Sequence, residues 1–413
     1  MKSCGLLGRR LSHSFSPRIH AQLGDYAYRL YEMEPEEVGA FICDGDYAAL
    51  NVTVPYKETV IPFLDVLTPQ ARKIGAVNTI IRRDGKLVGD NTDYYGFSQM
   101  LVRAQARAKG EKALILGSGG ASKTVHAVLS DLGAAQIVTI SRHGADNYEN
   151  IARHYDAGLL INATPVGMFP ENYAAPLSLS GFERCACVLD LIYNPAKTRL
   201  LLDAQQRGMR TQNGLWMLVA QAKRAAELFM QCEIPDVKIA EIYHTLSLES
   251  RNIVLIGMPG SGKSTAGVLL AERMGRKLYS LDAEIETSAG MPVSEIFARH
   301  GEDYFRTLET QMLRKAAKTP GIVLDCGGGV ITRPENDEAL RQNGFIVFLN
   351  RGWRGLPTSG RPLSQKNSLA TLYAERLPRY RALCDVEIDS TALQPQQTVE
   401  RILEAFADEN SCT

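Results

Sequence analysis

The chain lacks a charge excess: its 413 residues hold 46 Lys plus Arg against 46 Asp plus Glu. That balance leaves no basic stripe to neutralise nucleic-acid phosphates and no polybasic patch for an anionic bilayer, so neither partner is expected. No apolar run is long enough to span a membrane, and the opening MKSCGLLGRR has no apolar signal core, so a soluble cytoplasmic protein is expected. The eight cysteines, Cys4, Cys43, Cys185, Cys187, Cys232, Cys326, Cys384 and Cys412, include no C-x-x-C pair. They point neither to a disulfide framework nor to a zinc site, and read as reduced thiols. There is no internal repeat and no low-complexity tract. What the chain does have is length, beyond the size at which one hydrophobic core keeps growing, so two or three domains are expected.

Three blocks emerge along the sequence. Residues 1 to about 95 mix short strands and helices; ALNVTVP is a β-rich run, and NTIIRRDGKLVGDN reads as a hairpin turning at Asp84-Gly85. A helix-like segment, YYGFSQMLVRAQARA, closes this block. From Lys112 the pattern becomes strand, glycine turn, helix, strand (KALILG, GSGGASKTVHAVLSDLG, AQIVTISR), with further strands at GLLINAT and CVLDLIY. That alternation predicts a parallel sheet with crossover helices. After the helix LWMLVAQAKRAAELFM, the polar, proline-containing stretch QCEIPDVKIAEIYHTLSLES carries the chain onward, with 236–250 read as a linker, and a third block starts near Arg251. The segment VERILEAFADE predicts a last helix.

The third block opens on NIVLI followed by GMPGSGKST, a complete G-x-x-x-x-G-K-[ST] string between a strand and a helix. Glycines at 257, 260 and 262 let backbone N–H groups turn inward on an anion, and the helix N-terminus adds its partial positive charge. In that reading Gly257, Gly260, Ser261, Gly262, Lys263, Ser264 and Thr265 hold ATP. Lys263 reaches the β- and γ-phosphates, and Ser264 holds Mg²⁺.

A second glycine loop, Gly117, Ser118, Gly119, Gly120, Ala121 and Ser122, also follows a strand and opens a helix, as a dinucleotide-binding turn must. Ser122 stands where that fingerprint prefers Gly or Ala. The next strand ends at Ser141 and Arg142, where an NAD site would present a carboxylate to the ribose; serine and arginine suit a 2′-phosphate, so NADP is the expected cofactor.

In order along the chain, HSFSP (13–17), NVTVPYK (51–57), GAVNT (75–79), DNTD (90–93), GSGGAS, INATPVGM (161–168) and GLWMLVAQA (214–222) together resemble shikimate dehydrogenase over about residues 1 to 232. The resemblance implies reduction of 3-dehydroshikimate by NADPH, with Lys57 and Asp93 as the catalytic pair. An ammonium beside a carboxylate is what protonation of a developing alkoxide needs. It further implies that Ser14, Ser16, Thr53, Asn78, Asp93, Tyr193 and Gln221 bind the substrate, a polyhydroxy acid that calls for many hydrogen-bonding groups. Asn162, Thr164 and Gly214 fall with the NADP residues on the same ground.

The third block adds LDAEIE (281–286), EIFARHGEDYFRTLE (295–309), LDCGGGV (324–330), SGRPLS (359–364) and AERLPRY (374–380), and with the P-loop these resemble shikimate kinase across about residues 251 to 391. Shikimate made by the first half would then be the phosphoryl acceptor, giving shikimate 3-phosphate. By this resemblance Asp282 holds shikimate hydroxyls, Arg306 and Arg376 grip its carboxylate, and Gly327, Gly328 and Gly329 let backbone approach it. Planar guanidinium groups suit a carboxylate because they can bind it in a bidentate fork. Arg361 matches the lid arginine over the transferring phosphate. The chain departs from the family in two places. Ser280-Leu281-Asp282 replaces the usual D-x-D, leaving Asp325 or a water as an indirect metal-side substitute. The segment from Asn350 to Arg361 is shorter than the usual lid, with Arg351 and Arg354 both open as adenine contacts.

The expected fold class is therefore α/β throughout: an α/β substrate domain formed by residues 1–95 and 215–235, a Rossmann NADP domain over 96–214, and a P-loop kinase domain with a parallel sheet over 251–413. Two rival readings exist. A binding-only sensor would not need Lys57, Asp93, Lys263, Asp282 and Arg306, and a quinate dehydrogenase using NAD would not suit Arg142.

Overall fold

The computed structural model describes residues 3–11, 14–356 and 369–411. The chain divides into two compact units: Met1–Asn194 with Asp203–Tyr243, and Pro195–Leu202 with His244–Thr413.

The first unit contains two sheets. Its N-terminal part runs β1 (Cys4–Gly8), α1 (Ser16–His20), β2 (Tyr28–Glu32), α2 (Pro35–Asp44), β3 (Ala49–Val52), β4 (Val66–Leu67), α3 (Pro69–Ile74), β5 (Thr79–Arg83), β6 (Lys86–Asp90) and α4 (Asp93–Arg103). These strands form a six-stranded mixed sheet in the order β2-β1-β3-β5-β6-β4. The β5–β6 hairpin turns where the sequence predicts, with Asp84 and Gly85 both in the left-handed region that such two-residue turns require. Leu7, Val38, Ile42, Tyr47, Leu50 and Ile80 close the core beneath it.

The chain then runs β7 (Lys112–Leu116), α5 (Gly120–Asp131), β8 (Gln136–Ile140), β9 (Leu159–Asn162), β10 (Cys187–Asp190), α6 (Arg199–Gln206), β11 (Arg210–Gln212), α7 (Leu215–Met230) and α8 (Val237–Ser250), with the unit division falling inside α6 and α8. The second sheet of the first unit is parallel in every pair, ordered β11-β10-β9-β7-β8. Strands covered on both faces must be apolar along their whole length, and Ala113 to Leu116 are all buried. Helix α4 packs along α7, and Gly96 is the point of closest approach: a Cβ there would lie 2.7 Å from the Met217 carbonyl oxygen. The helix keeps this glycine at a propensity cost of about 1 kcal/mol. Burial of Phe97, Met100 and Leu101 contributes about 1.5–3 kcal/mol each and outweighs it.

The stretch 236–250, expected from its polarity and Pro235 to be a linker, is folded as α8 apart from Asp236. Ile239, Ile242 and Leu246 are buried at helical spacing, so three apolar positions outweigh the composition around them.

The second unit continues with β12 (Asn252–Ile256), α9 (Lys263–Met274), β13 (Leu278–Ser280), α10 (Leu281–Ala289), α11 (Val293–His300), α12 (Glu302–Ala317), β14 (Val323–Asp325), α13 (Asp337–Gln342), β15 (Gly344–Asn350), α14 (Leu369–Leu383), β16 (Val386–Asp389) and α15 (Pro395–Ser411). Its five strands are all parallel, in the order β13-β14-β12-β15-β16. Ile253, Leu255, Val323, Phe345 and Val347 make its core, with Val399, Ile402 and Phe406 of the last helix packed on it. Among the described residues no helix is long and apolar enough to cross a membrane.

Candidate active sites

The first unit holds a cavity of about 890 Å³. Lys57, in the turn after β3, and Asp93, the first residue of α4, meet on its wall: Lys57 Nζ donates to Asp93 Oδ2 at 2.6 Å. The two side chains are only 17% and 9% exposed, so the pair is largely withdrawn from water yet opens on the cavity. Ser14, Ser16, Thr53, Asn78, Tyr193 and Gln221 line the same space. The fold thus gathers side chains from six separate stretches of chain around one volume.

Several of these groups are already committed to one another. Ser14 Oγ accepts the Ser16 backbone N–H at 3.2 Å, so one hydroxyl also braces the start of α1. Asn78 is buried; its Oδ1 accepts from the Thr92 N–H at 2.7 Å, and its Nδ2 donates to Thr92 Oγ1 at 3.0 Å. Asn78 therefore fixes the turn that presents Asp93. Burial raises the Tyr193 phenol pKa, which keeps it a neutral donor. Arg9, Arg10 and Asn51 also line the cavity and were not anticipated. The two arginines follow β1 directly, where GLLGRR reads only as a solvated strand end.

The glycine loop after β7 reaches this cavity through Ala121. Gly117 has φ +101°, and a Cβ on it would lie 2.9 Å from Thr164 Cγ2 and 3.0 Å from the Ala163 carbonyl oxygen, so only glycine fits there. A Cβ on Gly119 or Gly120 would meet nothing within 4 Å. Packing does not require glycine at those two positions, and the space in front of them suits a pyrophosphate. Ser122, the departure from the fingerprint, turns its hydroxyl back to the Gly119 carbonyl at 2.6 Å and is buried, so it leaves the loop open. Ser118 is exposed at the loop's start; beyond β8, Ser141 is half-buried and Arg142 exposed. Asn162 accepts from the Thr164 N–H at 3.0 Å and donates to Asp190 Oδ1 at 3.0 Å, a brace at the ends of β9 and β10. Gly214, another lining residue, is needed for packing, since a Cβ would fall 1.9 Å from the Leu191 carbonyl oxygen.

In the second unit the loop 257–262 leads into α9 with Gly257, Gly260 and Gly262 all at positive φ. Lys263 is buried beneath it and donates from Nζ to the Gly257 and Met258 carbonyls at 3.0 and 3.1 Å. The ammonium thus sits inside the loop it is expected to serve. Ser261 is buried, while Ser264 and Thr265 are exposed on the first turn of α9. The Ser264 hydroxyl stands beside Asp325 and favours its ionised form.

The strand-end glycines of LDCGGGV each mark a close approach. A Cβ on Gly327 would lie 2.8 Å from Asp282 Oδ1 and 2.9 Å from Glu309 Oε1; on Gly328, 2.5 Å from Pro259 Cδ; on Gly329, 2.1 Å from Arg306 Nη2. The triplet therefore brings the acidic start of α10, the P-loop and the basic face of α12 onto one piece of backbone. Arg306 is buried, with Nη1 donating to Glu309 Oε2 at 2.7 Å and Nη2 to Glu302 Oε1 at 3.1 Å. Arg376 Nη1 and the Tyr380 hydroxyl both donate to the Gly328 carbonyl, at 3.0 and 2.5 Å. Asp282 is open to solvent on one side but surrounded by protein on most others; that burial raises its pKa, against the pull of Lys263. Asp325 is raised for the same reason, opposed by the Ser264 hydroxyl and the Lys263 ammonium. Arg361, with the segment SGRPLS, lies outside the described residues. Arg351 and Arg354 are described and exposed, the latter stacked over Trp353.

Glu309 is the residue most clearly missed in the sequence. It is fully buried, its Oε1 has no hydrogen-bond partner, and desolvation pushes its pKa up to about 7 despite the Arg306 guanidinium. Three residues beyond Arg306 it looks like a routine helix-surface acid, and only tertiary packing buries it. The sign of its effect on stability follows directly. Below the ordinary value of 4.5 the group is protonated whether folded or not; between 4.5 and about 7 only the folded state holds the proton; so stability falls as pH rises through that window. Glu309→Gln is expected to flatten this part of a stability-against-pH curve measured by urea unfolding, and an unchanged slope would show that Glu309 is ionised in the fold.

Comparison with known proteins shows which families the two halves of the chain resemble. A family model described as the shikimate dehydrogenase substrate-binding domain matches residues 6–80, and one described as shikimate kinase matches residues 259–407. A shikimate dehydrogenase (NADP(+)) of Clostridium beijerinckii is 37% identical over 262 residues, which are 59% of this chain and 97% of the relative. One from Geobacillus kaustophilus is 38% identical over 263 residues, 57% of this chain and 95% of the relative. Among solved structures, shikimate dehydrogenase 1 from Peptoclostridium difficile is 37% identical with a TM-score of 0.56, covering 60% of this chain and 99% of that one. The enzyme from Thermus thermophilus, solved with NADP(H) and shikimate, is 30% identical with a TM-score of 0.54, covering 59% and 99%.

Proposed function

Since this chain belongs to the shikimate dehydrogenase family and carries a shikimate kinase domain behind it, we propose how its own residues run two consecutive steps. The steps are NADPH-dependent reduction of 3-dehydroshikimate to shikimate and ATP-dependent phosphorylation of shikimate to shikimate 3-phosphate. When bound, NADPH supplies the hydride and Mg²⁺-ATP the phosphoryl group.

In the first half the Lys57 ammonium gives a proton to the oxygen that becomes the new hydroxyl, and Asp93 orients that ammonium. Ser14, Ser16, Thr53, Asn78, Tyr193 and Gln221 hold the ring substituents, while the loop 117–122 holds the pyrophosphate and Ser141 with Arg142 the 2′-phosphate. One observation carries this reading: the Lys57–Asp93 pair and the glycine loop open on a single cavity. The domain division that suits it assigns 1–95 and 215–235 to the dehydroshikimate side and 96–214 to the NADP side.

In the second half, over 251–413, Asp282 takes the acceptor hydroxyls, Arg306 and Arg376 the carboxylate, and Lys263 the phosphates, with Arg361 closing the site. The residues suit Mg²⁺-ATP, because the Ser264 hydroxyl and a buried Asp325 carboxylate stand together beside the loop. A cytoplasmic setting suits the free cysteines, which stay reduced there.

The direct test assays each half alone. NADPH oxidation with 3-dehydroshikimate and no ATP, and ADP release with shikimate and ATP but no NADPH, should both proceed. Absence of either signal removes that half of the reading.

A further inference from the structure

We infer that the metal-side carboxylate of the nucleotide site is Asp325, supplied from β14 because β13 carries serine at the facing position. The inference rests on the kinase reading and concerns how this chain in particular completes the site.

Asp325 is the last residue of β14, at the same end of the sheet as the P-loop, and is 6% exposed. In the parallel pairing of β13 with β14, Ser280 stands directly opposite it. Neighbouring strands lie about 4.8 Å apart. A carboxylate on either strand end therefore reaches much the same space beside α9. Ser280 is the N-cap of α10, yet its side chain makes no capping bond, so that helix does not depend on the hydroxyl.

The surroundings of Asp325 are those of a charge awaiting a cation. Among the described residues it forms no ion pair, while the Ser264 hydroxyl beside it and the Lys263 ammonium both favour its charged form. A buried carboxylate with one hydroxyl for company is costly unless a positive charge approaches. Mg²⁺ is commonly bound by one or two carboxylates with phosphate oxygens and waters, without an all-protein cage. The absence of any three-residue metal cluster among the described residues fits a site that the nucleotide completes. Asp325 then acts on the metal's waters and orients the Ser264 hydroxyl toward it.

The test is metal affinity on the full chain, read from the electron paramagnetic resonance of free Mn²⁺ titrated in the presence of ADP. Asp325→Asn is expected to weaken Mn²⁺ binding about 10- to 100-fold. ADP binding in EDTA, which needs only the folded loop, should stay as in the parent chain. Adding Ser280→Asp to Asp325→Asn should recover most of the lost affinity. Unchanged Mn²⁺ affinity in Asp325→Asn overturns the inference, and so does a loss that Ser280→Asp does not repair, which would make Asp325 a brace for Ser264. A parent chain with no ADP-dependent Mn²⁺ binding would overturn the nucleotide-site reading itself, a result distinct from the other two.

Discussion

Lys57→Ala should lower kcat/KM for NADPH-dependent reduction about 100- to 10,000-fold, the span that a positioned acid contributes. That loss corresponds to about 2.7–5.5 kcal/mol of barrier. The reason lies in the geometry: the ammonium is held 2.6 Å from Asp93 at the cavity wall, and a water filling the space left by alanine would be a far weaker proton donor. Alanine also leaves Asp93 facing the cavity unpaired, a like charge against a carboxylate substrate, so KM should rise together with the fall in kcat. Asp93→Asn, which keeps the shape and loses the charge, should lower kcat less. The chain carries its own folding control, because ADP release with added shikimate should be unaltered in both variants. A Lys57→Ala protein with parental NADPH oxidation would remove Lys57 from the proton path.

Lys263→Ala should cut shikimate-dependent ADP release about 100- to 1,000-fold, as when one preorganised donor to developing charge is lost. In the free protein this buried ammonium donates to the Gly257 and Met258 carbonyls, so it is already in place when phosphates arrive. Its removal has a second consequence. Lys263 offsets the burial that raises the Asp282 and Asp325 carboxyls, so in the alanine variant both should be pushed higher still. Asp282 would then hold its proton to a higher pH, and the pH profile of residual phosphoryl transfer should shift upward. Lys263→Arg is not expected to rescue, because a planar fork does not fit a loop closed around a point charge. NADPH oxidation should be untouched throughout.

Much of this is legible in the sequence, and the reason is specific. After one polar residue each, NIVLI and KALIL are four consecutive apolar residues, as strands covered on both faces require, and each runs into a glycine loop. The hairpin at Asp84-Gly85 announces itself through turn chemistry. What composition and spacing could not supply is pairing across distance. Lys57 and Asp93 are 36 residues apart and meet only because β3 and the start of α4 edge the same cavity; family resemblance, and no local pattern, named them as partners. Glu309 was invisible for the converse reason, since its local pattern is that of a solvated i,i+3 ion pair and its burial comes from the Gly327 backbone and Asp282. Ser122 looked like a flaw in the dinucleotide fingerprint until its hydroxyl was found bonded back to Gly119. Residues 237–250 looked like a linker because the apolar positions that make them a helix are only three among polar neighbours.

The central claim is that one chain makes shikimate and then phosphorylates it. The most direct measurement follows NADPH absorbance and ADP together in one vessel, with 3-dehydroshikimate present from the start and Mg²⁺-ATP added afterwards. NADPH should fall before ATP is added; ADP should then appear in an amount limited by the shikimate formed, vanish in Lys263→Ala, and in Lys57→Ala return only when shikimate is supplied. ADP release that ignores the dehydrogenase product, or NADPH loss with no ADP even when shikimate is added, would contradict it.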